Sequence, residues 1–104
     1  MAAVRKLTLV LRERRLDAES APSLYEELMR NIDGATSLVV DMTAVTYLSS
    51  AGLRALLSAQ HKMGEGSSIT LRNVNKNVMR TLDVTGFSEI FIVEPAKRED
   101  RQTH

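Results

Sequence analysis

Two adjacent serines, Ser49 and Ser50, followed by Gly52 and Arg54, are the residues whose types and spacing could do chemistry in this chain. They open an amphipathic pattern, so one hydroxyl can cap the free N–H groups of a helix while the other is presented at its mouth. A helix N-terminus carries roughly half a positive charge, and a phosphate there meets both the dipole and unpaired donors. If Ser49 caps and the helix runs from Ser50, Arg54 follows four residues on, within reach of whatever Ser50 carries. Gly52 leaves room for close approach. The pattern therefore offers a modifiable hydroxyl at Ser50, beside the plainer reading in which the pair is only a cap.

Other chemistry is harder to build from these residues. A serine nucleophile needs a base within hydrogen-bond reach, and the chain has two histidines. His61 lies eleven residues along the same helix, about 16 Å away at 1.5 Å per residue, and His104 is the last residue. The strained Gly-x-Ser-x-Gly elbow is missing. Two distant histidines without clustered carboxylates give no metal ligand set, and Gly64-Glu65-Gly66 lacks the spacing and lysine of a phosphate-cradling loop. The expectation is a protein that is not an enzyme and that holds no metal or cofactor.

The elements that must position the serines follow from periodicity. Leu38-Val39-Val40 is an apolar run suited to a strand buried on both faces, ended by Asp41. Ahead of it, Leu7, Leu9 and Leu11 alternate with Thr8, Val10 and Arg12, which predicts a strand with one apolar face. Residues 12–15 are too charged to be buried. Asp17 to Pro22 supplies caps and a helix start, and Leu24, Tyr25, Leu28 and Ile32 form a core-facing stripe that stops at Asp33-Gly34.

The helix from Ser50 puts Gly52, Leu53, Ala55, Leu56, Leu57, Ala59 and Met63 on a broad apolar arc, with Arg54, Ser58, His61 and Lys62 on the far side. Gln60 has no comfortable place in that pattern. Gly64 and Gly66 end the helix. A short strand over 69–71, a loop over 73–77 with Asn75 as a cap, a third helix carrying Val78, Met79 and Leu82, a stop at Thr85-Gly86 with Phe87 packed behind it, and a last strand over 90–93 complete the order. The expected fold class is α/β, a small mixed, largely parallel sheet with flanking helices and right-handed crossovers. One domain over 1–94 and a polar tail over 95–104 are the expected divisions.

Composition is that of an ordinary soluble globular protein. The 104 residues suffice for a single core, with 43% hydrophobic and 26% charged. A net charge of +1 provides no field to gather nucleic acid or an anionic membrane, and four aromatic residues leave little for base stacking. No cysteine is present, which removes disulfides and thiolate chemistry. The start lacks a signal-peptide h-region and no run is long enough for a membrane span, so a cytoplasmic protein, monomer or weak dimer, is expected.

The run Leu38-Val39-Val40-Asp41, Val45 and Tyr47-Leu48-Ser49-Ser50-Ala51-Gly52-Leu53 resembles the signature of STAS domains, in particular of bacterial anti-sigma factor antagonists. Arg15-Leu16-Asp17 with Ala18 and Ala21, and Val78, Leu82, Thr85-Gly86-Phe87, Ile90 and Phe91, extend the resemblance over most of the chain. It implies a serine at the start of the second helix that is phosphorylated by a partner acting as both anti-sigma factor and serine kinase. By motif alignment that residue is Ser50, with Ser49 the second candidate. The resemblance also implies that the unphosphorylated form binds the kinase and releases sigma factor, whereas the phosphorylated form does not. Asp17, Ser49, Ser50, Gly52, Arg54 and Ser58 are the implied partner-binding residues.

The chain departs from the family pattern at two points. Ser49 stands where many antagonists carry Asp, and Arg14 replaces the usual glycine before Arg15-Leu16-Asp17. The first departure motivates a second reading, an adaptor subunit of a transport or signalling complex that is not phosphorylated. Only six residues precede the Leu7 strand, so a shortened or missing first strand would expose a sheet edge.

Overall fold

A computed structural model describes residues 5–96. Strands β1 (Lys6–Val10), β3 (Ser37–Asp41), β5 (Ser68–Val74) and β6 (Ile92–Pro95) form one sheet in the order β1-β3-β5-β6, and every pairing in it is parallel. Each crossover steps one strand further in the same direction. With right-handed connections this places the intervening helices α1 (Ala21–Asn31), α2 (Ser50–Met63) and α3 (Lys76–Thr85) on one face. Accordingly, Leu24 and Leu28 of α1, Leu53, Leu56 and Ala59 of α2, and Val78 and Leu82 of α3 share one apolar cluster with Leu38, Val40, Ile69 and Leu71 of the sheet. Val39 and Thr70 are paired in register and lie outside that cluster, toward the opposite face.

The central run behaves as its composition dictates: Leu38, Val39 and Val40 are all buried. The outer elements differ from expectation for reasons of position. β1 occupies Lys6–Val10 rather than 7–12, and because it is an edge strand Leu7 and Leu9 are only half-buried. Leu11 is buried just beyond the strand, its N–H donating to the Asp41 carbonyl. Tyr25 is 45% exposed rather than part of the core, because α1 seats the line through Leu24, Leu28 and Ile32 and Tyr25 lies a further 100° or so around it.

β5 is a seven-residue strand, longer than the 69–71 segment expected, and the supposed loop at Asn73 is a bulge. Asn73 adopts φ of +60°, a left-handed conformation that asparagine tolerates, and the β5–β6 register shifts there. The last strand begins at Ile92, since Phe87–Glu89 forms a 3-10 turn and Ile90 is exposed. It runs through Pro95, with the Ala96 N–H donating to the Val74 carbonyl; the remainder of the expected polar tail lies outside the described residues.

A second, two-stranded sheet had no counterpart in the sequence reading. β2 (Arg15–Leu16) and β4 (Tyr47–Leu48) pair in parallel, Arg15 beside Tyr47 and Leu16 beside Leu48. Leu16 and Leu48 turn inward and are buried, while Arg15 and Tyr47 face outward. Helix α2 lies directly on this ribbon. A Cβ at Gly52 would stand 2.9 Å from both the Cβ and the carbonyl oxygen of Leu16 and 3.0 Å from Leu48 Cδ1. Glycine is thus required by packing, and the obstructing carbonyl cannot rotate away.

Gly52→Ala gains about 1 kcal/mol of helix propensity but overpacks a rigid contact, which typically costs about 1–3 kcal/mol and here falls at the upper end. The net loss of roughly 2 kcal/mol should lower the midpoint in thermal denaturation by about 8–16 °C for a domain of this size. An unchanged or raised midpoint contradicts the packing account.

Candidate functional site

The parallel register of β2 and β4 brings the two segments that follow them side by side: Asp17 after Leu16, and Ser49-Ser50 after Leu48. The ladder is closed by backbone bonds from Thr46 and Tyr47 N–H to the Arg14 carbonyl and from Ser49 N–H to the Leu16 carbonyl at 2.9 Å. Ser49 then caps α2. Its backbone is extended, and its Oγ accepts from the Ala51 N–H at 3.2 Å while donating to the Leu16 carbonyl at 3.0 Å. A hydroxyl has one proton, so that of Ser49 is committed. An ionised aspartate could make the cap but could not donate to Leu16, so the serine here ties helix and ribbon together.

Ser50 is the first residue of α2 and is exposed, and its hydroxyl makes no hydrogen bond among the described residues. The first turn of α2 carries no acidic side chain, so the positive end of a 14-residue helix is left uncompensated by its own sequence. Arg54 is exposed four residues on, and Ser58 is half-buried a further turn along the same line. Gly52 is buried, and the close approach it permits is to Leu16. His61 is exposed near the far end of the helix.

Asp17 organises the neighbouring loop. Its Oδ1 accepts from the N–H groups of Glu19 (3.1 Å) and Ser20 (3.2 Å), its own N–H donates to Ser20 Oγ, and its Oδ2 accepts from Arg15 Nε at 3.2 Å. The Ser20 N–H above all, with the Arg15 and Glu19 bonds, holds the Asp17 carboxyl below the ordinary value of 3.8 despite some desolvation. Arg15 completes the constellation, its guanidinium lying 4.2 Å from the centroid of the Tyr47 ring.

Asp17, Ser49 and Ser50 therefore lie around one helix start, with Arg54 about one turn and Ser58 about two turns along α2. Arg15 and Tyr47 were not identified as site residues from the sequence. No local signal marks them: a dipeptide has no period, and only the pairing of Arg15-Leu16 with Tyr47-Leu48 sends the two leucines inward and the cation and aromatic ring outward.

A STAS domain family model matches residues 3–100, and the chain belongs to that family. The anti-sigma-B factor antagonist of Bacillus subtilis (strain 168) is 29% identical over 85 residues, covering 81% of this chain and 77% of that protein. The crystal structure of an anti-sigma factor antagonist from Mycobacterium paratuberculosis superimposes with a TM-score of 0.70 at 27% identity, over 78% of this chain and 70% of that one. A sulfate transporter family protein from Wolinella succinogenes, at 18% identity, TM-score 0.72 and coverage of 88% and 80%, shares the fold. Among the described residues no helix is long and apolar enough to cross a membrane.

Two stability outcomes follow from this geometry. Ser49→Ala removes a cap and a bond to Leu16 and should cost about 1–2 kcal/mol, whereas Ser50→Ala, with no bond to lose, should stay within about 0.5 kcal/mol of wild type. Chemical denaturation measures both, and equal losses contradict the division of roles. For pH, a depressed carboxyl contributes stability that is present above its ordinary value of 3.8 and lost as pH falls through its lower folded value. Asp41, held low first by the Thr43 hydroxyl, contributes in the same window. The Asp17 carboxyl should titrate by NMR below 3.8, and Asp17→Asn should make the acid-side fall in melting temperature shallower; a midpoint at or above 3.8 contradicts the hydrogen-bond assignment.

Proposed function

We infer that this chain is a cytoplasmic anti-sigma factor antagonist. In its unphosphorylated form it docks on an anti-sigma factor that is also a serine kinase, and sigma factor is released. Phosphorylation of Ser50 ends the docking. The reading is supported by the relatives from Bacillus subtilis and Mycobacterium paratuberculosis that bear that name. The observation that carries it is the contrast at the start of α2, where the Ser49 hydroxyl is bonded on both sides and that of Ser50 is exposed and free.

The chemistry divides between the partners. Ser50 Oγ takes the γ-phosphoryl group of ATP held by the kinase as the bond from the γ-phosphorus to the β–γ bridging oxygen breaks and ADP leaves, and the kinase also supplies the base that takes the hydroxyl proton; His61, the histidine among the described residues, is eleven positions along the helix. On this side the open helix end and Arg54 accommodate the product anion. Phosphate adds close to two negative charges at a point the partner must cover, so the bound state loses while the free fold does not.

The test is incubation with ATP and each of the source organism's anti-sigma serine kinases, purified singly, followed by phosphopeptide mapping. Phosphate on Ser50 in wild type and in Ser49→Ala, and none in Ser50→Ala, is the expected result. Phosphate on Ser49, or continued modification of Ser50→Ala, overturns the site. A kinase that binds the chain and leaves Ser50 unmodified favours instead the adaptor of a transport or signalling assembly.

A further inference from the structure

The outward face of the β2–β4 ribbon carries a preorganised cation. The Arg15 side chain is 62% exposed, yet it is held at two places: its Cζ lies over the Tyr47 ring, 4.2 Å from the centroid, and its Nε is bound to Asp17 Oδ2 at 3.2 Å. An exposed ion pair alone stabilises little. Stacking on an aromatic face is a geometry that suits the flat guanidinium and not the compact ammonium of lysine. With Nε engaged, neither terminal nitrogen has a hydrogen-bond partner among the described residues, so a forked pair of donors faces solvent.

The fork lies in a surface lined by arginines and carboxylates in equal number, and of those carboxylates Asp17 is the one paired with Arg15 among the described residues. Arg15 lines a shallow depression of about 530 Å³ together with Arg12, Glu13, Arg14, Asp17, Glu19 and Ser20. The Asp17 carboxylate is already occupied by two backbone N–H groups and Arg15. Arg12, Arg14 and, across Ser50, Arg54 are exposed and make no ion pair among the described residues. Tyr47, 41% exposed, stands three residues ahead of Ser50. Arginine and tyrosine are each enriched among the residues that anchor protein interfaces.

We propose that Arg15, laid on Tyr47 and tethered by Asp17, is a specificity-determining residue of the Ser50 surface, and that the partner meets it with a carboxylate. The inference rests on the reading of the chain as the substrate and ligand of an anti-sigma serine kinase. It deepens that reading by stating the chemistry of the complementary surface: an acidic side chain placed to take the two terminal nitrogens in parallel. Such a pair fixes the register in which Ser50 enters the kinase, and it selects against partners that offer a cation at that position.

The experiment uses the purified kinase that binds wild-type chain. Affinity is measured for wild type, Arg15→Ala, Arg15→Lys and Tyr47→Phe over a range of salt concentrations, and KM and kcat are measured for phosphorylation of Ser50. Arg15→Ala should weaken binding at least about tenfold and reduce its salt dependence. It should raise KM with kcat retained, because the residue docks the substrate and does not touch the reacting atoms. Arg15→Lys should recover only part of the affinity, and Tyr47→Phe, which keeps the ring face, should stay within about twofold. All four proteins should melt within a few degrees of one another, which separates docking from folding.

Wild-type binding with Arg15→Ala within about twofold, or a loss that does not respond to salt, overturns the acidic-partner assignment and leaves the Ser50 reading standing. Wild type that binds none of the kinases overturns the functional reading and this inference with it.

Discussion

The contact between helix α2 and the Leu16 carbonyl is the constraint on which the site depends. That one oxygen receives the Ser49 N–H and the Ser49 hydroxyl, and it stands where a side chain on Gly52 would be. Three features meet there: the end of a two-residue ribbon, the cap of a 14-residue helix, and the glycine that lets the helix lie down on the ribbon. Because residue 16 and residue 49 are joined so closely, the loop at Asp17 and the start of α2 form one surface although 33 positions separate their anchors. Rotation of the helix would move Ser50, and the cap and the glycine both resist it.

The division of labour between adjacent hydroxyls has a simple physical origin. An N-cap residue leaves the helix with extended backbone and turns its side chain back toward the first N–H groups, whereas the next residue already has helical dihedrals and points away. In this chain the cap is further tied to a neighbouring strand, so adding a phosphate to Ser49 would remove the proton it donates to the Leu16 carbonyl, while adding one to Ser50 breaks no bond among the described residues. The positive end of the helix favours the added charge in the free protein. Within a docked interface the same charge must give up water, and the penalty for an unpaired buried ion amounts to several kcal/mol. On the proposed function, a small covalent change would thus act on association much more than on folding.

The sequence made the central architecture legible because the relevant signals are strong and local. Leu38-Val39-Val40 admits little but a buried strand, the arc from Leu53 to Met63 has helical period, and the caps at Ser49 and Asn75 have the expected residue types; Asn75 Oδ1 accepts from the Val78 N–H at 2.8 Å. What could not be read was set by tertiary position. Two-residue strands have no measurable period, so the β2–β4 ribbon and the Arg15–Tyr47 stack upon it emerge only when segments far apart in sequence are brought together. Tyr25 looked like core because it is large and sits beside Leu24, yet α1 has only a narrow buried line. Gly52 was legible as a close approach, though the approaching group is the protein's own backbone. Gln60 remained awkward for good reason: its Nε2 donates to the Ser67 carbonyl while its Oε1 is buried without a partner among the described residues.

Under the proposed function, Ser50 is the place where charge decides association while the fold is indifferent. The most direct measurement is calorimetric titration of the purified anti-sigma kinase with two forms of this chain, unmodified and carrying phosphoserine incorporated at position 50, alongside the backbone amide spectrum of each. Affinity for the phosphorylated form reduced by about 100-fold or more, with amide shifts confined to the start of α2 and the facing Asp17 loop, is the expected result. Equal affinities, or amide shifts spread through the sheet, contradict it.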